Sequence, residues 1–338
     1  MPLYILGIET SCDETAAAIM CDGELLSSET ATQAIHEQYG GVVPELASRA
    51  HQSAIVPVVE MAVRKAGIGM EQIDGIAYTR GPGLLGALMV GASFAKGLSL
   101  SLKVPLYPVH HMQAHIHAHF IEAPHPEFPF LCLTVSGGHT QIVRVDGPFE
   151  MEILGQTIDD AAGEAYDKAA KMMGLPYPGG PLIDQWAAKG NPGAFTFSEP
   201  NVAPLDFSFS GLKTSIRYFL RDEEKKAPGF TQSNLPDLCA SIQYSINNIL
   251  TRKLMAAARL TGISHLALAG GVAANSGLRA LMKESAEREG YQLFIPKMAY
   301  CTDNAAMIAM SGHFAASKDA KGDLHDLPAA RMPFIQIA

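Results

Sequence analysis

The sequence predicts an α/β protein of two duplicated domains with a cleft between them. Three observations lead there. A run of three short strands joined by tight turns occurs twice, a strand–glycine turn–helix run also occurs twice, and apolar residues are plentiful enough to fill two cores. Of 338 residues, 48% are hydrophobic and 17% charged. That length suits two domains of about 100–200 residues each, and the composition is not that of a disordered chain.

Residues 3–30 run as strand LYILGIE, turn TSCDET, strand AAAIMCD, then a further turn and strand, GELLSSET. Residues 128–157 repeat the order with FPFLCLTV, SGGHT, QIVRVDG and PFEMEILGQT. In each an apolar strand enters a small polar turn and a second strand leaves it, which is the hairpin signal. IDGIAYTRGPGLLGALMVGASFAKGL and ISHLALAGGVAANSGLRALMKESAEREG both read strand, glycine turn, helix. Between the halves, HHMQAHIHAHF (110–120) suits a helix, and TDNAAMIAMSGHFAA (302–316) suits another. Residues 176–235, richer in Pro, Gly and Ser, read as loops and short helices, and the tail from Ser317 reads as surface loop.

Lys and Arg number 25 against 34 Asp and Glu, a net charge of −9. A protein coating nucleic acid with its whole surface needs the opposite sign, so any nucleic-acid site must be a local basic patch or a partner's. The 5 cysteines are scattered and form no C-x-x-C pair, which excludes a disulfide scaffold and a thiolate zinc knuckle and suits a reducing compartment. MPLYILGIETSCDET lacks a basic leader region and does not read as a signal peptide. The apolar stretch from Gly83 to Leu102 is interrupted by Lys96 and reads as a buried helix, not a membrane span. The cytoplasm is the expected location.

Turns rich in Gly, Ser and Asp at strand ends are where α/β proteins hold phosphates, because free backbone N–H groups point at the anion. Thr10–Thr15, Ser136–Thr140 and Gly270–Asn275 are such turns, and their matching places in a duplicated frame point to a bound nucleotide. None is a P-loop, and none is a G-x-G-x-x-G after the first strand. The acidic turn at Asp13 and Glu14 would repel a bare phosphate, so a divalent ion, water or proton transfer is expected there, against the plain reading that both residues bond their own turn. His110, His111, His115, His117, His119 and His125 cluster in one stretch. On a helix His111 and His115 stand one turn apart on one face, the spacing that grips a metal ion, although histidines on a cleft-facing helix can also serve hydrogen bonding. Met112 sits where H-E-x-x-H would place its glutamate, so a zinc peptidase lacks its general base. Asp303 in CTDN is a candidate third ligand, and two imidazoles with one carboxylate leave coordination positions open for substrate.

GIETSCDET (7–15), YGGVVPELASRAH (39–51), PVHHMQAH (108–115), VSGGHT (135–140), DDAAGEAYDK (159–168), PYPGGP (176–181), DFSFSGLKT (206–214), AGGVAAN (269–275) and CTDNAAMIA (301–309) occur in collinear order. Together they resemble the bacterial TsaD family of tRNA adenosine threonylcarbamoyltransferases, in the Kae/TsaD/Qri group once called glycoprotein endopeptidases. The resemblance implies two duplicated actin-like ATPase (ASKHA, RNase H-like) domains with an interdomain cleft, expected here as residues 1–125 with 305–338, and 126–304. It implies transfer of threonylcarbamoyl from threonylcarbamoyl-AMP to the N6 amine of the adenosine beside the anticodon in tRNAs reading ANN codons. It implies one divalent metal per subunit, iron(II) before zinc(II), on His111, His115 and Asp303. Substrate contacts are implied at Thr134, Val135, Ser136, Gly137, Gly138, Asp167, Gly180, Asp184 and Asn275, with ATP or threonylcarbamoyl-AMP as nucleotide ligand. Where family members carry VSAN, this chain has Val272-Ala273-Ala274-Asn275.

Implied partners are tRNA, a TsaB-like paralogue and a TsaE-like ATPase, with a homodimer left open and no membrane. The donor is already activated, so the protein has to hold the adenylate, place the carbonyl and stabilise oxyanion charge. Backbone N–H groups of Ser136, Gly137 and Gly138 suit phosphate or carbonyl oxygens, and Asp167 and Asp184 suit ribose hydroxyls. The general base is not assigned; Asp13 and Glu14 are the candidates. Asp159 and Asp160 are expected to cap the helix carrying Glu164 and Asp167, and Lys213 either solvates a helix or touches RNA. An actin-like sugar or acetate kinase explains the phosphate turns but not the histidine helix.

Overall fold

The computed structural model describes residues 1–33, 36, 39 and 41–334; Gly40 of the YGGVVPELASRAH motif lies outside them. In chain order the first elements are β1 (Tyr4–Glu9), β2 (Glu14–Cys21), β3 (Glu24–Thr32), α1 (Pro44–Ala66), β4 (Gly75–Gly81), α2 (Leu85–Leu102), β5 (Leu106–His110) and α3 (His111–His117). Next come β6 (Phe130–Val135), β7 (Thr140–Val145), β8 (Met151–Gln156), α4 (Ala162–Met172), α5 (Gly179–Ala187), α6 (Ser210–Lys226) and α7 (Phe230–Ser233). The last are α8 (Leu235–Thr261), β9 (His265–Ala269), α9 (Ser276–Glu289), β10 (Gln292–Phe294) and α10 (Ala305–Ser317).

These form two compact units. One holds Met1–His125, Pro148–Glu150 and the chain from Pro296 onward; the other holds Pro126–Gly147 and Met151–Ile295. Residues 296–304, assigned to the second domain by the sequence reading, therefore pack with the first, and they bring Asp303 with them. The first sheet has the order β3-β2-β1-β4-β5 and the second β10-β9-β6-β7-β8. In each, three antiparallel strands are extended by two parallel ones. Read from the hairpin edge the two orders are the same, so the duplication holds at the level of topology.

In the first unit α1 starts on Pro44 and stops at Gly67, whose φ of 72° is open to glycine at little cost. It buries Ala47, His51, Ile55, Val59, Ala62 and Val63, one helical stripe, against the sheet. α2 is long and apolar enough to cross a membrane, but its small-residue face, Ala87, Leu88, Gly91, Ala92 and Ala95, packs on α1 and β4. On the other sheet face α10 lies close against β1. A Cβ on Gly7 would meet Ala305 O and Ala309 N, both at 2.5 Å, so only glycine admits the helix there.

Several details depart from the sequence reading. The last helix starts at Ala305, with the Asn304 side chain accepting from Met307 N–H at 2.9 Å, which leaves Thr302 and Asp303 in the loop before it. The stretch 176–235 contains a 17-residue helix, α6, and it is followed by α8, 27 residues long. The tail is not plain surface loop. Ala329 N–H donates to Arg80 O at 2.9 Å and Gly83 N–H to Ala330 O at 3.2 Å. His110 Nε2 lies 3.1 Å from Met332 O, so the tail runs along the end of β4 to the first histidine.

Candidate functional site

β5 passes directly into α3, and the His110 side chain accepts from Gln113 N–H at 3.4 Å to start the helix. One turn of helix then sets the rings of His111 and His115 at 4.7 Å, edge to face. Asp303 Oδ1, from the loop before α10, lies 3.3 Å from His111 Nε2 and 3.1 Å from His115 Nε2. The three donor atoms fall within 4.8 Å of one another. His117 turns away, bonding Ser311 Oγ at 2.8 Å and Pro148 O at 2.6 Å.

Glu9, the last residue of β1, completes this group, and sequence reasoning missed it. It is fully buried. Its Oε2 lies 3.2 Å from His111 Nδ1 and accepts from Thr79 Oγ1 at 2.5 Å, while Oε1 accepts from Ser11 N–H. Ser11 Oγ is 3.2 Å from the same Nδ1. A carboxylate on Nδ1 holds the proton there and turns the Nε2 lone pair toward Asp303, the arrangement that supports metal-ligating histidines. The one signal in the sequence is an acid closing an apolar strand.

The charges fit a cation. Burial opposes charge on Asp303, but His111 and His115 hold its carboxyl far below the ordinary range. Burial likewise opposes charge on His111, and Asp303 and Glu9 overcome it, holding the imidazole well above its usual value. Both shifts favour positive charge between these acids. His115 Nδ1 is buried without a hydrogen-bond partner among the described residues. Two imidazole nitrogens, one carboxylate and a second carboxylate behind them suit a divalent transition metal.

Glu14 and Asp303 both line an open cavity of about 390 Å³, with Thr30, Thr32, Tyr300 and Thr302 around it. Burial, the Asp303 carboxylate and Asp13 raise Glu14 to about 9. Burial and the neighbouring Asp13 push the Cys12 thiol far up, so it is no nucleophile.

The remaining candidates lie in the second unit. Thr134 and Val135 are fully buried in β6, and their side chains serve the sheet. In the turn that follows, Ser136 N–H donates to His139 O at 2.8 Å, so it is not free for an anion as the sequence suggested. Gly137 and Gly138 have no backbone acceptor among the described residues, and a Cβ at either would meet nothing within 4 Å. Asp167 Oδ1 accepts from Gly179 and Gly180 N–H at 2.8 and 3.2 Å. Asp184 accepts from Ser276 N–H at 3.0 Å and Ser276 Oγ at 2.7 Å. Asn275 Oδ1 accepts from Leu278 N–H at 2.8 Å and Asn247 Nδ2 at 3.0 Å, and its Nδ2 donates to Gln243 Oε1 at 2.8 Å. Tyr166 OH donates to Asn247 Oδ1 at 2.7 Å. Asp167, Gly180, Asp184 and Asn275 thus belong to one frame joining α4, α5, α8 and α9, and much of their bonding capacity holds that frame together. Asp159 departs from its expected role. It accepts from Phe209 N–H at 2.8 Å at the start of α6, while Asp160 pairs with Lys168 and Lys213.

Two domains of one topology, one carrying a His–His–Asp cluster and the other a glycine turn at the matching strand end, define an actin-like α/β protein. Solved structures agree at the level of fold. The activator of the 2-hydroxyisocaproyl-CoA dehydratase from Clostridium difficile with bound ADPNP aligns with a TM-score of 0.53 at 15% identity, over 95% of this chain and 99% of that one. Full-length HypF in its phosphate- and nucleotide-bound form gives 0.62 at 13% identity, over 95% of this chain and 47% of that one. The family is narrower. The model of TsaD, tRNA N6-adenosine threonylcarbamoyltransferase, matches residues 24–310, and the chain belongs to that family. It is 58% identical to the tRNA N6-adenosine threonylcarbamoyltransferase of Christiangramia forsetii over 92% of each chain. It is 56% identical to that of Porphyromonas gingivalis over 99% of this chain and 98% of the relative. The resemblance drawn from motifs, the enzyme class and the tRNA-modifying activity stand on these matches.

Proposed function

We propose that the chain transfers threonylcarbamoyl from threonylcarbamoyl-AMP to the N6 amine of the adenosine beside the anticodon, in tRNAs reading ANN codons. The observation that carries this reading is the convergence of His111, His115 and Asp303 beside an open cavity, with Glu9 bonded behind His111. The N6 lone pair forms the new C–N bond, the C–O bond of the mixed carbonyl–phosphate anhydride breaks, AMP leaves with its electrons, and the amine loses one proton.

His111 Nε2, His115 Nε2 and Asp303 would hold one divalent ion, iron(II) before zinc(II), which when bound supplies Lewis-acid polarisation and an anchor for the threonyl group. Glu9 keeps the His111 proton on Nδ1. The N–H groups of Gly137 and Gly138 take phosphate oxygens of ATP or threonylcarbamoyl-AMP, and the frame of Asp167, Gly180, Asp184 and Asn275 orients the nucleoside. Burial, Asp303 and Asp13 push Glu14 toward its protonated form, and Glu14 and Asp13 are the candidates for moving the amine proton. A cytoplasmic setting, with a TsaB-like paralogue and a TsaE-like ATPase beside a chain of net charge −9, completes the proposal.

The test is reconstitution with unmodified tRNA, ATP, bicarbonate, threonine, an adenylate-forming synthase and both partners. Threonylcarbamoyladenosine in the digested tRNA is the expected product. Unchanged tRNA alongside peptide cleavage or sugar phosphorylation contradicts the reading, and full transfer by a metal-free His111→Ala/His115→Ala protein contradicts the metal's part in it.

A further inference from the structure

An acidic enzyme with a polyanionic substrate needs a place where positive charge is not cancelled. Many cations on this surface are cancelled: Arg49, Arg144, Arg252, Arg259 and Lys297 each sit on a carboxylate. On α6, among the described residues, Lys213, Arg221 and Lys226 are paired too, but Arg217 and Lys225 are not. The apolar side of α6, Leu212, Ile216 and Leu220, is buried, and Phe219 packs tilted or edge-on among Phe195, Phe197 and Phe230 with ring centroids at 5.2, 5.5 and 6.0 Å. The helix is therefore firmly seated, and its outer side is fixed in place.

That outer side carries Arg217, Arg221 and Lys225, all exposed and four residues apart, so they rise about 6 Å from one to the next along the axis. Tyr218 stands between them, 46% exposed. The guanidinium carbons of Arg217 and Arg221 lie 5.6 and 4.8 Å from its ring. The acids of the helix are spent elsewhere. Glu224 accepts from Gly229 and Thr231, Glu223 pairs with Lys226 at 2.7 Å, and only Asp222 touches the row, on Arg221 at 2.8 Å. Arg217 and Lys225 have no carboxylate partner within 4 Å among the described residues. Lys213, the next position up the row, is held by Asp160 at 2.8 Å.

We infer that this face of α6 is a docking surface for the tRNA substrate: Arg217, Arg221 and Lys225 track phosphates, and Tyr218, steadied between two guanidinium groups, offers a plane on which an unpaired base stacks. A cationic row with an interleaved exposed aromatic is how single-stranded RNA segments are held, whereas an apolar protein partner would find no apolar patch here. The inference rests on the transfer reaction proposed above.

The test measures equilibrium binding of unmodified tRNA to the full chain with its partners across a salt series, beside KM for tRNA in the transfer assay. Arg217→Ala/Arg221→Ala/Lys225→Ala should weaken binding about tenfold or more and flatten the slope of log affinity against log salt by about one unit per charge removed. Tyr218→Ala should cost about fivefold or more with the slope unchanged. Arg217→Lys/Arg221→Lys should keep the slope, and nucleotide and metal binding should be unaltered in every variant. Wild-type tRNA affinity, slope and KM in the triple variant overturn the inference while the transfer reaction stands. Loss of a protein partner with tRNA binding intact overturns it as well. A wild-type enzyme that modifies no tRNA overturns the transfer reading instead.

Discussion

In the first unit β1 ends on a buried carboxylate, Glu9, and turns through Thr10–Asp13; in the second the corresponding strand, β6, ends on apolar Val135 and turns through Ser136–His139, with two glycines. The sheets around them have the same order and sense. The difference lies in what each turn can neutralise. The first is acidic and buried, and it draws imidazoles and a further aspartate to itself. The second presents backbone N–H groups and no side-chain charge, closed by its own Ser136–His139 bonds and by Gly163 N–H on Ser136 O. One scaffold, used twice, carries an acidic turn in one unit and a turn of glycine N–H groups in the other, a difference made by the residues of a single turn.

Substitutions can separate the two sites. The largest effect is expected from Asp303→Ala, which removes a ligand and leaves two buried imidazoles facing each other: metal content should fall to background and transfer by more than about a hundredfold, measured by elemental analysis and modified-nucleoside assay, with nucleotide affinity retained. Next is Glu9→Gln, which keeps the shape but removes the charge on His111 Nδ1. Metal affinity by competition titration should fall about 10–100-fold, again without change in nucleotide binding.

His117 gives a pH dependence confined to the first unit. Burial pulls its imidazole down to about 4 from 6.5. The neutral ring's contribution is therefore complete above about pH 6.5 and is lost as the pH falls toward 4, a loss of up to about 3 kcal/mol. Urea unfolding at pH 7 and pH 4 in wild type and His117→Gln should show that extra acid sensitivity only in the wild type. In the second unit Asn247→Ala should cost about 1–3 kcal/mol by leaving Tyr166 OH unpaired; calorimetry should also show weaker nucleotide binding with metal content unchanged. The smallest effect is Gly138→Ala. Its Cβ meets nothing within 4 Å, so thermal stability should shift by less than about 0.5 kcal/mol, while nucleotide affinity reports how closely a ligand approaches that backbone.

The strands and glycine turns of both units were legible because their signals are local: period-two runs and turn residues. His111 and His115 were legible because one helical turn relates them. Asp303 was weaker, since its loop lies 188 residues from His115; residue chemistry made it only a candidate third ligand, and the motif resemblance then joined the two. Glu9 was not singled out, because its partners Thr79 and His111 lie 70 and 102 residues away, and nothing around an acid at a strand end says what it will face. α6 was hidden by averaging. Residues 210–226 hold a clean apolar stripe, but the Pro, Gly and Ser of their surroundings dominated the wider window. The tail's contacts run through backbone groups, which leave no side-chain pattern to read.

Crystals of the active enzyme with bound nucleotide, measured at the iron and zinc absorption edges, bear most directly on the central claim. One anomalous peak bonded to His111 Nε2, His115 Nε2 and Asp303, with Glu9 still on His111 Nδ1, is the result this account predicts. A fully active crystal with no peak there, or with the metal bound elsewhere, would contradict it.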